Sequence, residues 1–346
     1  MTTSSAAPTV AVTGAAGFIG SRLVPALAAA GVPRIVGLDM HEPTRSVAGY
    51  EHILVDVAGR DLEGHLRGAD TLVHLAAVTD PIADDALMAR VNIEGTRRVL
   101  DAAAAVGVRR IVRVSTAAVY GAWPTNPLPL TEDAPLRPNP GFGPAVHAAE
   151  VERLLHEFGL DHPETCVTVL RAAPVLGAGA EHLWARLLAG WHRPRVRGEG
   201  APVQVVHVDD IVAATMLVAL ADHPGVFDVA APGWLAADEA RTLLARGALP
   251  AAPLDVVRRV LTRSWRAGIG DVPPAVVPYL VHPWVIATDR LEALGWHAQH
   301  SNEETLLETH DAITPSGPPV AAIAGALASA AAAGVLGAYA LHRRRR

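Results

Sequence analysis

The stretch from Val10 to Ala30 constrains this chain more than any other. Val10-Ala11-Val12-Thr13 is a short apolar run of strand type, and it passes directly into Gly14-Ala15-Ala16-Gly17-Phe18-Ile19-Gly20. A helix is expected over Gly20–Ala30, so the three glycines sit at a strand-to-helix turn with GxxGxxG spacing. The first glycine permits a tight turn, the second lets a ligand's phosphates approach the backbone, and the third lets the helix pack close to the sheet. The helix start adds unpaired N–H groups and the positive end of its dipole. Gly14, Ala16, Gly17, Phe18, Ile19 and Gly20 are therefore read as a cradle for a pyrophosphate.

The rest of the first half repeats the same alternation. Val10–Thr13, Arg34–Leu38, Thr71–Leu75 and Arg110–Ser115 read as buried strands, with helices expected over Gly20–Ala30, Asp84–Gly107 and Val146–Phe158. Cys166–Arg171 and Val203–Val208 read as further strands. Strands alternating with helices imply an α/β fold, a parallel sheet covered on both faces. Asp39 ends the second strand, 19 residues after Gly20. A carboxylate there accepts hydrogen bonds from adenosine ribose hydroxyls and repels a 2′-phosphate, which favours NAD over NADP; Arg45 nearby keeps NADP as the lesser alternative.

Beyond Gly177 the pattern loosens. Trp184–Trp191, Asp238–Leu249 and Leu254–Ala267 read as helices, and Asp271–Pro283, with its four prolines, as irregular. The expected organisation is a nucleotide-binding domain over residues 8–176 with 203–230, and a smaller substrate-binding portion over 177–202 with 231–312. A linker at 313–319, an uncharged stretch at 320–341 and a basic tail at 342–346 follow. The 22 residues from Val320 to Leu341 are long enough to span a bilayer, although eleven of them are alanine. The expectation is a cytoplasmic domain associated with the cytoplasmic membrane through lipid contacts of 320–346, spanning or lying on the surface. Met1–Pro8 carries no basic residue and does not read as an export signal.

A net charge of -6 argues against a nucleic-acid partner, and the single Cys166 allows no internal disulfide. All 29 basic residues are arginine. His297 and His300 have HxxH spacing, but no HExxH and no cysteine cluster occurs, so no metal is expected.

TGAAGFIGS at Thr13–Ser21 resembles the opening of the extended short-chain dehydrogenases, the NAD-dependent sugar epimerases and dehydratases. Asp56-Val57 is similar to the pair that meets adenine in that family. His74-Leu75-Ala76-Ala77 resembles its HLAA strand end, and Asn92 its helix asparagine. STAAVYG at Ser115–Gly121 resembles the strand carrying the catalytic serine or threonine, which falls on Thr116. Leu170–Gly177, with Pro174 beside the cofactor, and His207–Asp210 resemble later family segments. The likeness runs over about residues 8–312 and implies a Rossmann-type doubly wound fold. Implied with it are NAD on Gly14–Gly20, Asp39, Asp56, Val57, Leu75, Ala76, Ala77, Asn92, Thr116 and Pro174, and a small-molecule substrate whose identity is unread. A homodimer stays open.

The family also implies a YxxxK pair followed by a glutamate eight residues after the tyrosine. Taking Glu150 as that glutamate puts Phe142 at the tyrosine position and Val146 at the lysine position, and the chain contains no lysine to relocate. A phenol transfers a proton near neutral pH only when its pKa of about 10 is lowered by a neighbouring cation. Among substitutes, His147 reads as solvent-facing, Tyr120 as packing and His74 as structural. Arg186, Arg193, Arg195 and Arg197 are a surface cluster or, by the resemblance, a phosphate contact. Two functions follow as expectations: an epimerase/dehydratase-like oxidoreductase with altered acid–base groups, or a catalytically silent NAD(P)-binding sensor or scaffold at the membrane. A sterol- or isoprenoid-type dehydrogenase is a third.

Overall fold

The computed structural model describes residues 8–313 except 60, 191–195, 199 and 245–250. The linker, the uncharged stretch and the basic tail read over 313–346 lie outside the described residues from 314 onward. Among the described residues no helix is long and apolar enough to cross a membrane.

In chain order the first half runs β1 (Thr9–Thr13), α1 (Gly20–Ala29), β2 (Arg34–Asp39), β3 (Tyr50–Leu54), α2 (Leu62–Leu66), β4 (Thr71–His74) and α3 (Asp85–Ala89). A π-helical turn over Arg90–Glu94 then joins α3 to α4 (Gly95–Val106). There follow β5 (Arg110–Thr116), α5 (Gly143–Asp161), β6 (Cys166–Ala172), β7 (Val175–Leu176), α6 (Leu183–Leu188), β8 (Val206–His207), α7 (Val208–Leu220) and β9 (Gly225–Val229). The remainder is helical: α8 (Ala237–Leu243), α9 (Leu254–Arg266), α10 (Val277–Val281), α11 (Asp289–Glu292) and α12 (Asn302–Ala312).

Seven strands form one parallel sheet in the order β3-β2-β1-β4-β5-β6-β9. Both faces are buried, which is why β1 reads as an unbroken apolar run: Val10, Ala11 and Val12 are all fully buried. Leu23 and Leu27 of α1 share one core with Ile211 and Val218 of α7. Leu62 and Leu66 of α2, Val99 of α4 and Leu155 of α5 belong to a second core. The strand order reverses between β1 and β4, and the crevice at that switch point is where such sheets hold ligands.

Several boundaries differ from the sequence reading. The expected strand over Val203–Val208 shrinks to Val206–His207, because His207 caps α7 by accepting from Asp209 N through Nδ1 at 3.2 Å. α5 starts at Gly143, three residues before the expected Val146, with Pro144 in its first turn, where a missing N–H costs nothing. The irregular stretch expected over Asp271–Pro283 instead contains a 3-10 turn at Pro274–Val276 and α10. β3 was not foreseen, since Tyr-Glu-His-Ile-Leu is a half-exposed edge strand without an apolar run.

Candidate functional site

The switch point opens into a cavity of about 490 Å³. Its first wall is the glycine turn. Gly14 has φ +72°, and a Cβ there would stand 2.8 Å from Ala76 N on the neighbouring β4 connection, so only glycine lets the turn pass under that strand. A Cβ on Gly20 would collide with the Gly14 carbonyl, so the helix start rests directly on the turn. Gly14 N donates to Leu38 O at 2.8 Å and Gly17 N to Gly14 O at 3.1 Å. Among the described residues the N–H groups of Phe18, Ile19 and Gly20 have no protein acceptor, which leaves three donors at the helix start.

Asp39 follows at the end of β2. Its Oδ2 accepts from Ala16 N at 2.9 Å and its Oδ1 from His41 N at 3.0 Å, which fixes the carboxylate against the glycine turn. Oδ1 also meets His41 Nδ1 at 3.2 Å, and Oδ2 keeps a further lone pair for a hydroxyl group in the cavity. Asp56 and Val57 line the same end.

The β4 connection forms the middle. Leu75, Ala76 and Ala77 line the cavity, and Asn92 braces the loop: its Oδ1 accepts from Val78 N at 2.7 Å and its Nδ2 donates to Val78 O at 3.0 Å. The Asn92 amide is thus spent on backbone, held in place by the π-helical turn that carries it. His74 lies behind this wall, fully buried between Thr13 Oγ1 (2.7 Å) and Thr96 Oγ1 (3.0 Å). Burial, helped by the Arg113 charge, holds its pKa well below the usual histidine range, and its role is structural.

The far end lies over β5 and α5. Thr116 closes β5, lines the cavity, and accepts from Ala118 N at 3.2 Å. From α5 the lining residues are Pro144, Ala148 and Val151, with Phe142 just before the helix. These helical positions are spaced i, i+4, i+7, one face of an α-helix. Val146 lies off that face: it is 38% exposed and is not among the lining residues, whereas Phe142 is. Glu150 is a surface residue paired with Arg153, whereas the buried glutamate of this helix is Glu152. It accepts from Ser115 Oγ, and from Arg171 Nε at 2.8 Å. Counting eight residues back from Glu152 gives Pro144, and four back gives Ala148, both of which do line the cavity. Neither carries a proton to exchange.

Phe142 packs into an aromatic cluster, with ring centroids 5.8 Å from Trp184 and 5.1 Å from Tyr279, and Trp184 lies 5.0 Å from Trp284. Tyr279 donates its hydroxyl to Ala118 O at 2.9 Å. His182 also lines the cavity; its Nε2 meets Val175 O at 2.8 Å, and burial lowers its pKa, so it is neutral at pH 7.

All the cofactor residues singled out in the sequence, from Gly14 to Pro174, line this one cavity. Sequence reasoning missed His182, Trp184 and Arg113, because none belongs to a recognisable spacing. Tyr120 is buried away from the cavity and donates to both oxygens of Asp228, at 2.9 and 3.0 Å. His147 is buried, not solvent-facing as expected, with Nε2 3.5 Å from Asp85 Oδ1. In the arginine cluster, Arg186 is already paired with Asp80 (3.0 Å) and Asp271 (2.8 Å), while Arg193 and Arg195 lie outside the described residues. His300 stacks on His207 with centroids 3.9 Å apart, and its Nδ1 lies 3.0 Å from Asp210 Oδ2.

Comparison with known proteins gives a consistent picture. The profile of the NAD dependent epimerase/dehydratase family matches residues 10–230. An uncharacterised protein of Mycobacterium tuberculosis is 30% identical over 241 residues, covering 67% of this chain and 64% of its own length. This chain therefore aligns with just under two thirds of that relative. A UDP-glucose 4-epimerase of Mycolicibacterium smegmatis is 34% identical over 224 residues, covering 59% of this chain and 70% of the relative. Among solved structures, MoeE5 in complex with UDP-glucuronic acid and NAD superposes with a TM-score of 0.70 at 25% identity, over 88% of this chain and 98% of that one.

Proposed function

The chain belongs to the NAD-dependent epimerase/dehydratase family, and from that premise we propose that it is an NAD(H)-binding oxidoreductase with a degenerate acid–base site. NAD fits the cleft on three observations: a glycine turn that a Cβ would block, three unsatisfied N–H groups at the helix start, and a carboxylate fixed at the end of β2. Phe18 and Ile19 N–H groups would hold the pyrophosphate, and Asp39 the adenosine ribose. When bound, NAD supplies a hydride acceptor. The protein's share of an alcohol oxidation is then to orient the carbinol and take its hydroxyl proton.

Thr116 can orient an oxygen through its hydroxyl. The observation that carries the degenerate reading is the α5 face opposite it: Pro144, Ala148 and Val151, with Phe142 beside them. No group there can take or lower the pKa of a proton. General acid–base catalysis contributes about 10²–10⁴ in rate, so turnover by the ordinary route is slowed by that order. The same hydrocarbon face favours a second reading, a silent protein that senses or displays NAD(H).

Calorimetry with NADH and NADPH tests the cofactor assignment. NADH should bind at least tenfold more tightly than NADPH, and Asp39→Asn should narrow the gap. Equal or tighter NADPH binding overturns the Asp39 argument. Stopped-flow measurement of NAD reduction with nucleotide sugars tests the rest. Turnover in the ordinary enzyme range of about 1–10³ s⁻¹ would sink the degenerate-site reading, and complete absence of hydride transfer would select the silent one.

A further inference from the structure

Arg113 is not explained by the fold. It stands on β5 in register with His74 of β4, is 6% exposed, and lines the cleft. Its Nη1 donates to His74 O at 3.0 Å and to Ala76 O at 3.3 Å. Its Nε, also buried, has no hydrogen-bond partner, and among the described residues Arg113 makes no ion pair. Glu152 is the carboxylate whose charge it feels, but the oxygens of Glu152 already accept from Ser115 and Arg171. Burial pulls the Arg113 pKa down to about 10, against the opposing pull of Glu152, so the side chain is still a cation at pH 7.

A buried cation that lacks both a carboxylate and a full set of acceptors is costly, and a hydrocarbon of the same shape would fold better. Tying two carbonyls of the β4 end needs one neutral donor, not a guanidinium. Among the described residues that line the cleft, Arg113 is the sole arginine; the other full charges there are the carboxylates Asp39, Asp56 and Asp80. Nε has no surface open to the cleft, but among the described residues Nη2 has no protein acceptor either, and it is the donor left for whatever fills the cleft. Position says which part of it. In a doubly wound sheet a dinucleotide crosses the switch point with its adenosine over β2 and its other half over β4 and β5. Asp39 marks the first half, the glycine turn the middle, and Arg113 the second half.

We propose that Arg113 is a cofactor-binding residue that donates its free guanidinium edge to the ribose on the nicotinamide side of the dinucleotide. The proposal rests on the NAD reading above. It moves the cation of the site from the helix, where Ala148 has no charge to offer, to the strand beneath.

The test compares three ligands on the full chain by calorimetry: NADH, ADP-ribose and ADP. Hydrogen bonds from a charged donor are worth about ten- to hundredfold in affinity. Arg113→Met should therefore weaken NADH and ADP-ribose by about that factor and leave ADP unchanged. Arg113→Lys should recover part of the loss. The unliganded Arg113→Met protein should melt no lower than the wild type, because it sheds an uncompensated buried charge. Unchanged affinity for NADH and ADP-ribose overturns the proposal, as does an equal loss for ADP, which would place Arg113 at the pyrophosphate. If the methionine variant fails to fold, Arg113→Gln, which keeps one donor for the carbonyls, is measured against the same three ligands under the same criteria. Failure of the wild type to bind NADH or ADP-ribose would remove the NAD reading itself, a result separate from either variant outcome.

Discussion

Over β1 and β2 the cleft is walled by glycines, unpaired N–H groups and the carboxylates Asp39 and Asp56, whereas at α5 it is walled by Phe142, Pro144, Ala148 and Val151. The first wall recognises charge and hydroxyl groups through fixed donors and acceptors. The second is hydrocarbon, and β5 across from it offers the hydroxyls of Ser115 and Thr116 and the guanidinium of Arg113. The contrast separates two properties usually found together. Holding a dinucleotide depends on backbone geometry at the switch point, and chemistry at its reactive end depends on two side chains of one helix face. One can persist while the other is replaced.

The comparison breaks most severely at the glycine turn. Gly14→Val would need a side chain at φ +72° and 2.8 Å from Ala76 N. It should abolish measurable NADH binding, a loss beyond about a hundredfold, and lower the melting temperature; calorimetry and thermal unfolding check both. A variant that still binds would show that the turn is not the phosphate cradle.

Next in size is an attempt to refill the second wall. The paired change Pro144→Tyr with Ala148→Lys places both groups on the lining face of α5. It should raise NAD-dependent turnover by about 10²-fold if acid–base groups are what is lacking. Phe142→Tyr with Val146→Lys is the control: Val146 is 38% exposed outside the cavity, so the ammonium goes to solvent and turnover stays flat. A gain in the second pair and not in the first would reverse the register argued from Glu152.

A smaller effect lies beneath the cleft. Tyr120, Asp228, Arg171 and Glu152 form a buried network in which Tyr120 and Arg171 share a 2.8 Å hydrogen bond. Burial, with the Glu132 charge adding to it, pushes the Asp228 carboxyl up to about 8. Its unfolded value is about 3.9. Between those values the folded state holds a proton that the unfolded state has lost, so stability from this group is greatest at low pH and falls as pH rises towards 8. The melting temperature should drop by a few degrees between about pH 5 and pH 8.5, and Asp228→Asn should flatten that slope. A slope that survives the substitution assigns it to another group.

The smallest expected change concerns residues 314–346. Removing them should leave NADH affinity unaltered, since every cleft residue named above precedes them. Fractionation of the full chain and the truncated one asks whether 320–346 binds lipid. A truncation that weakens NADH binding more than about threefold would tie the tail to the cleft.

The sequence was most legible where geometry demands one residue type. Gly14 and Gly20 have no alternative, Asp39 ends a strand in the register the turn requires, and all of the expected cofactor residues line one cavity. It was least legible where the same helical period admits two registers. Glu150 and Glu152 both fit a buried-glutamate pattern on paper, and only burial separates the surface pair from the one that meets Ser115 and Arg171. Arg113 was invisible for a different reason. A charged residue inside an otherwise apolar strand reads as a helix-facing interruption, and nothing in its neighbours announces that its guanidinium is buried. β3 and β9 escaped because Glu51 and Asp228 interrupt their apolar character.

The π-helical turn at Arg90–Glu94 makes part of this protein behave like a reading frame. Its i to i+5 bonding takes up one residue more than an α-helical turn, so α3 and α4 keep their phase across an added residue. Replacing exposed Arg90 or Glu94 leaves that phase intact. Deleting Ile93 would remove the one residue that the turn absorbs, and the segment would rewind as continuous α-helix with α3 and α4 still in phase. Met88 would stay buried, whereas Asn92, inside the turn, would change facing and lose Val78. Along this segment, homologous chains are expected to keep the extra residue and the buried asparagine together or to lack both.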